Sequence, residues 1–329
     1  LESCTCLGIE STAHTFGVSI ASSEGKILSN VNDKYSPPPG KGIHPREATQ
    51  HHCEVGPRVL EESLKKWGGN IDDLDVVAFA AGPGLGPTLR TGATMARALA
   101  VWLNKPLAPV HHAIGHIEIA AKMADVKDPL VTLVSGGHTT VTAFTGGRWR
   151  IFGETEDITL GNLLDVFGRA VPLPTPGGPE VEKIASRGTN FIELPYVVKG
   201  NDVSYSGLLT AAKKLLGKKP LEDICYSLQE VSFAMLAEAT ERALAHTQKK
   251  ELMLTGGVAA NKRLAEMLRI VAESHGARFS VVPREYSGDC GAQIAWTGIL
   301  AYSAGATIEV AKSYVKPRWR LDTVDIPWR

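Results

Sequence analysis

Two histidines four residues apart, His112 and His116 in the run His111-His112-Ala113-Ile114-Gly115-His116, have the spacing that could hold a metal ion. On a helix, positions i and i+4 share a face. Two neutral imidazoles placed that way suit a divalent ion. Asp289, an acid among small residues in YSGDCGA, is a candidate third ligand. His111 falls on another face and is expected to pack or to hydrogen-bond. A pair of ordinary core histidines is the competing reading, and the residues by themselves leave the two in balance. A zinc peptidase of the HExxH kind is not indicated, because Ala113 stands where the water-activating glutamate would be.

Three turns have the composition to cradle phosphate: Glu10 to Thr15, Ser135 to Thr139 and Gly256 to Asn261. Glycine lets the backbone approach an anion, and successive N–H groups in a turn form an anion-binding nest. One such segment alone reads most simply as a tight turn. Three of them, each at the end of an apolar run, point to a nucleotide cleft. Neither GxxxxGK[ST] nor GxGxxG occurs, so P-loop and Rossmann readings fail. Asp165 in GNLLDVFGRA and Glu182 in PTPGGPEVEK are carboxylates that could accept from ribose hydroxyls. Helix caps or solvated acids fit them equally well.

These residues need elements to position them. Cys6 to Ala21 reads as a strand, a polar turn and a second strand, and Leu130 to Phe144 repeats that theme. His14-Thr15 and His138-Thr139 occupy corresponding places in the two hairpins, as in a duplicated architecture. A loop is expected over Ser36 to Gly42, helices over Arg46 to Trp67 and from about Thr91 to Trp102, and a strand over Val76 to Ala80. The second half reads as mostly helical up to the strand Glu251 to Leu254. The organisation expected is a first lobe over 1–128, a second lobe over 129–290 with a helical insertion, helices from about 291–315 returning to the first lobe, and a basic, Trp-rich arm or linker over 316–329.

The 329 residues, 43% apolar and 21% charged, suit a folded protein of two lobes. Lys+Arg and Asp+Glu both number 35, so net charge points to no nucleic-acid partner. Five scattered cysteines without a CxxC give neither a zinc ribbon nor a disulfide framework, and a cytoplasmic compartment is expected. Cys4 and Cys6 read as two small residues on one face of a strand. No run is apolar enough to span a bilayer, so no membrane role is expected. The chain opens on Leu1, so a few native residues are expected to precede it.

Taken in order, the blocks GIESTAHTFGVSI, GKGIHPREATQHH, GPGLGPTLRTGATMARALA, HHAIGHIE, LVSGGHTTV, PGGPEVEK, DVSYSGLLTAA and LTGGVAANKRL resemble the universal threonylcarbamoyl-adenosine family, formerly labelled O-sialoglycoprotein endopeptidase. The resemblance covers nearly the whole chain. DVSYSGL and CYSLQE resemble its archaeal and eukaryotic branch, whose members work in the KEOPS complex. It implies an α/β fold of two RNase H-like lobes, as in actin, Hsp70 and sugar kinases (the ASKHA superfamily). It implies transfer of a threonylcarbamoyl group from threonylcarbamoyl-AMP to the adenosine just 3′ of the anticodon in tRNA, with release of AMP. It places metal ligands at His112, His116 and Asp289, and nucleotide contacts at Leu133, Val134, Ser135, Gly136, Gly137, Asp165, Gly178, Glu182 and Asn261. One divalent ion is implied, Fe²⁺ first, with Zn²⁺ and Mg²⁺ as alternatives. Implied partners are tRNA, a kinase-like KEOPS protein, separate or fused, and a small dimerising subunit. No residue stands out as a general base.

Two departures bear on the metal. Leu133 stands where archaeal relatives usually carry a tyrosine that can contact the ion, and Cys290 stands where asparagine usually follows the ligand aspartate. Leucine offers no ligand, although its backbone still approaches a phosphate. Two other functions fit the same fold: an ATP-dependent phosphotransferase of the sugar-kinase type, and a non-catalytic nucleotide-sensing subunit. A tightly held transition metal argues against the first, and turnover argues against the second.

Overall fold

The N-terminal hairpin forms as its alternating apolar pattern requires, with β1 over Thr5–Glu10 and β2 over Thr15–Ser22. The computed structural model describes residues 4–38 and 40–329. Strand β3 (Ile27–Lys34) pairs antiparallel with β2, and β1 continues in the other direction to β4 (Val76–Gly82) and β5 (Leu107–His111), both parallel. The order is β3-β2-β1-β4-β5. Helices α1 (Pro45–Trp67) and α2 (Gly86–Leu103) make the crossovers. Pro45 starts α1 where a missing N–H costs nothing, and left-handed Gly68 ends it. The expected loop over Ser36 to Gly42 is free of helix and strand at its described residues; residue 39 lies outside them. Helix α2 begins five residues before the expected Thr91. Pro87 disguised its first turn, a position where proline is tolerated because no intrahelical bond is lost. Cys4 and Cys6 are buried free thiols at the start of this sheet.

Helix α3 (His112–Ala124) leads directly from β5 to a second sheet built to the same plan. Its strands are β6 (Leu130–Val134), β7 (Thr139–Thr145) and β8 (Arg148–Glu154), then a short pair β9 (Val198–Lys199) and β10 (Asp202–Val203) apart from it, then β11 (Glu251–Thr255) and β12 (Arg278–Val281). The order β12-β11-β6-β7-β8 matches the first sheet strand for strand. Thr15 and Thr139 open the second strand of each copy, so the repeated His-Thr marks a real duplication. Helices α4 (Leu160–Ala170), α5 (Gly177–Ala185), α6 (Ser206–Lys214) and α7 (Leu221–Thr247) fill the insertion. They are followed by α8 (Lys262–Ser274), the short α9 (Arg284–Ser287) and α10 (Gly291–Ser303).

Three crossings join the two halves. Helix α3 buries Ala113, Ile114 and Ile117 in the core of the second half and packs against α10 on its other side. Helix α10 returns to lie across β1, β2 and β4. It lies so close that a methyl on Gly8 would sit 2.1 Å from the backbone nitrogen of Ala295. Residues 316–329 do not trail away as an arm. Lys316 N–H donates to Ala81 O at 2.6 Å and Gly84 N–H donates to Pro317 O at 3.1 Å, and then Leu321, Val324 and Ile326 are buried in the second half.

Candidate metal and nucleotide site

The i, i+4 pair sits on the first turns of α3, where β5 ends. His111 caps the helix: its Nδ1 accepts from the N–H groups of Ala113 at 3.2 Å and Ile114 at 3.4 Å. Its Nε2–H donates to Trp319 O at 3.1 Å. That accounts for both ring nitrogens, and burial pushes its pKa down to about 3, so His111 serves the helix as a neutral ring. His112 and His116 turn the other way and meet Asp289, which stands just before α10. Asp289 Oδ1 lies 3.2 Å from His116 Nε2 and 3.4 Å from His112 Nε2, and one ligand atom from each of the three residues falls within 4.8 Å of the others.

The electrostatics fit an ion at this point. Burial alone would lower the pKa of His112, but the carboxylates of Glu10 and Asp289 raise it to about 10. Burial and the neighbouring His112 charge lower His116. Asp289 is held well below the ordinary carboxylate range by the two histidines, although its burial acts in the opposite sense. Two buried imidazoles thus compete for one positive charge beside an anion. Two nitrogens and one oxygen form a donor set for a borderline divalent ion. His116 Nδ1 is buried without a hydrogen-bond partner.

Sequence reasoning missed several neighbours of this centre. Glu10, wholly buried at the end of β1, accepts from His112 Nδ1 at 2.9 Å. Gln293 of α10 lies 3.1 Å from the same nitrogen. His138 stacks on His112 with ring centroids 6.2 Å apart, and its Nδ1 is buried and unpartnered. The only signal for His138 is its place in the repeated hairpin, and Glu10 shows in the sequence merely as the start of a turn.

Of the three candidate phosphate turns, the structure brings two together. Gly256 has φ +96°, and a Cβ there would meet Val134 O at 2.3 Å, so the turn after β11 lies against the end of β6. Ser135 Oγ accepts from the N–H groups of Gly137 at 3.2 Å and His138 at 3.1 Å, shaping the β6–β7 turn. Gly136 and Gly137 are exposed, and a methyl added at either would meet nothing within 4 Å. The third turn, Glu10 to Thr15, faces the histidines instead: Thr12 N–H is taken by Glu10 Oε1 at 2.7 Å. Leu133 is fully buried in the core of the second half and paired on both sides in the sheet, and its side chain offers no ligand; Val134 is buried beside it.

Asp165 on α4 accepts from Gly177 N–H at 2.7 Å and fixes the start of α5, whose second residue is Gly178. Burial raises its pKa against the lowering effect of those N–H groups. Glu182 on α5 accepts from Lys262 N–H at 2.9 Å. Asn261 caps α8 by accepting from Arg263 N–H at 3.0 Å and Leu264 N–H at 3.1 Å, and its Nδ2 donates to Gln229 Oε1 at 3.0 Å. The helix-capping reading of these acids therefore holds in part. The same bonds tie α4, α5 and α8 into one wall.

A histidine–aspartate centre beside a glycine turn, on a duplicated fold, can be compared with known proteins. The family described as tRNA N6-adenosine threonylcarbamoyltransferase matches residues 26–296. The chain belongs to this family. A member from Thermofilum pendens (strain DSM 2475 / Hrk 5) bearing that name is 56% identical over 325 residues, covering 98% of this chain and 96% of its own length. One from Caldivirga maquilingensis (strain ATCC 700844 / DSM 13496 / JCM 10307 / IC-167) is 53% identical, covering 98% and 97%. Among solved structures, T. kodakarensis HypF matches with a TM-score of 0.65 at 16% identity, over 92% of this chain and 48% of that one. Component A of the Acidaminococcus fermentans (R)-2-hydroxyglutaryl-CoA dehydratase matches with a TM-score of 0.54 at 14% identity, over 90% and 97%. These two likenesses show the fold, and with the doubled strand order they bear out the α/β, ASKHA-type architecture.

Proposed function

We propose that the chain transfers the threonylcarbamoyl group of threonylcarbamoyl-AMP to N6 of the adenosine 3′ of the anticodon in tRNA, releasing AMP. The observation that carries this reading is the stacking of His138, in the β6–β7 turn, on the metal-facing His112. It supports a placement of the exposed Gly136-Gly137 turn next to the histidine–aspartate centre, in a chain of this family.

The exocyclic amine of adenosine is a weak nucleophile, because its lone pair is delocalised into the ring. The donor is a mixed anhydride already activated by its AMP leaving group. Positioning and charge stabilisation therefore carry the reaction. The Ser135-Gly136-Gly137 turn would hold phosphate, with Leu133 and Val134 leading into it. Asp165 and Glu182 would fix the ribose, and Gly178 leaves the backbone of α5 open to it. Asn261 would hold the α8 end of the wall. His112, His116 and Asp289 would hold a divalent ion, Fe²⁺ from the family resemblance, with Zn²⁺ and Mg²⁺ as alternatives. Such an ion supplies a Lewis acid for phosphate or carbamoyl oxygens. No side chain is assigned as a general base.

The partners proposed are tRNA and the KEOPS subunits, a kinase-like protein and a small dimerising protein. Among the described residues no helix is long and apolar enough to cross a membrane. The test is to supply threonylcarbamoyl-AMP and tRNA to the metal-loaded assembly and to count threonylcarbamoyl-adenosine by mass spectrometry of the nucleosides. Modified adenosine in amounts that follow the metal content is expected. Its absence, with phosphate transfer from ATP in its place, would overturn this reading in favour of a kinase.

A further inference from the structure

We propose that Glu10 is the positioning residue that selects the metal-binding form of His112, and that it is the second anion balancing the ion's charge. This rests on the reading of His112, His116 and Asp289 as a metal centre.

An imidazole can give only one nitrogen to an ion, and the hydrogen bond made by the other nitrogen decides which one. Both Nε2 atoms, of His112 and of His116, face the same oxygen of Asp289, at 3.4 and 3.2 Å. His112 Nδ1 faces the opposite way, with Glu10 Oε2 at 2.9 Å. A carboxylate oxygen only accepts, so the proton sits on Nδ1 and the lone pair of Nε2 is left for the ion. Gln293 Nε2 is a donor; facing a protonated Nδ1 at 3.1 Å it has nothing to give its proton to there, and it donates to Glu10 Oε2 at 3.3 Å. Thr12 N–H fills the other oxygen at 2.7 Å. Every side-chain contact around Glu10 thus points one way, with donors aimed at a carboxylate that faces His112.

The charge count agrees. Glu10 has no exposed surface, and a buried carboxylate persists only when its charge is met. Among the described residues its one ion pair is with His112; no lysine or arginine pairs with it. An ion of charge two, bound through neutral imidazoles, is balanced by Asp289 and Glu10 together. Leu133 contributes no charge to that sum. The centre is therefore matched to a divalent ion, with one anion touching the metal and the other acting through the imidazole ring.

The experiment measures Co²⁺ and Zn²⁺ affinity by chelator competition for the full chain and for Glu10→Gln and Glu10→Asp, with the Co²⁺ absorption spectrum and adenine-nucleotide affinity measured in parallel. Glu10→Gln is expected to weaken metal binding about 10–100-fold and shift the Co²⁺ bands. Nucleotide affinity measured without metal should stay unchanged, and Glu10→Asp should restore part of the loss. Equal metal affinity and an unchanged spectrum in Glu10→Gln would overturn the proposal while leaving the metal centre standing. A wild-type chain that takes up no stoichiometric ion would instead overturn the metal reading itself. Nitrogen-15 spectra of the Zn²⁺-loaded wild type give an answer that needs no variant: a proton on Nδ1 of His112 is expected, and a proton on Nε2 would refute the assignment.

Discussion

His112 and His116 are legible in the sequence because their relation is local, one helical turn apart. Glu10 and Gln293 lie 102 and 181 residues from His112 in the chain, and only the fold brings them to the same nitrogen. Changing His112 and His116 to Ala together is expected to abolish stoichiometric metal while the helical circular dichroism persists; elemental analysis of the purified variant decides it. Glu182 has one duty toward helix α8 and a proposed one toward nucleotide, and a single variant tests both. Glu182→Ala should weaken adenine-nucleotide binding by about 1–3 kcal/mol, the worth of a charge-assisted hydrogen bond. It should also lower stability by about 0.5–2 kcal/mol through the lost cap on Lys262 N–H. Calorimetric titration and thermal unfolding of the same sample would show both effects, and nucleotide affinity equal to wild type would leave Glu182 as a cap alone. His52 gives a test in pH. It is buried beside His51 and the ring of Phe16, with His14 and Asp33 also near it. Burial, then the charges of His51 and His14, push its pKa from 6.5 down to about 4. As pH falls below 6.5 the unfolded chain takes up this proton and the folded one does not. Stability is therefore whole above pH 6.5 and drains away towards pH 4, at roughly 1.4 kcal/mol per pH unit. Urea unfolding of His52→Leu should show a shallower loss over that window; an identical slope would mean His52 stays neutral for no thermodynamic reason of its own.

At the scale of elements, apolar alternation locates the strands that carry the turns, since a half or fully buried strand must show it. It fails at the start of α2, where Gly86 and Pro87 look like loop and are helix. It cannot foresee that α10 lies directly on β1, because close approach of two backbones is written only as small residues. Gly8 and Gly298 are those residues: a methyl on Gly298 would stand 2.4 Å from Ala78 Cβ. Gly8→Ala is expected to destabilise the fold by about 3 kcal/mol, the upper end for overpacking, since the obstacle is backbone that cannot swing aside. A denaturant midpoint equal to wild type would show that α10 can lift from the sheet.

For the whole molecule, the duplication is legible from two hairpins, while the tail reads as an arm because its basic residues hide its buried ones. Arg329 makes a double contact with Glu118 of α3, from Nε to Oε1 and from Nη2 to Oε2, both at 2.9 Å, under the rings of Trp149 and Phe144. Arg329→Ala leaves the buried Glu118 carboxylate without its ion pair, with only Trp328 Nε1–H still donating to it at 3.2 Å, and a loss of about 3 kcal/mol in thermal unfolding is expected. The chain's net charge is zero, so it offers no overall positive field to RNA. Supplied with donor and tRNA, the chain by itself is expected to make far less modified adenosine than it does with the proposed partner subunits; equal rates would remove the need for partners. The three crossings between the halves, by α3, by α10 and by the tail, have a mechanical meaning. Two bodies joined at one point can swivel freely. Joined at three separated places, they are braced against twist and sideways slip. The spacing between the histidines and the Ser135 to Gly137 turn is thereby set by the packing of the fold and not by a loose joint.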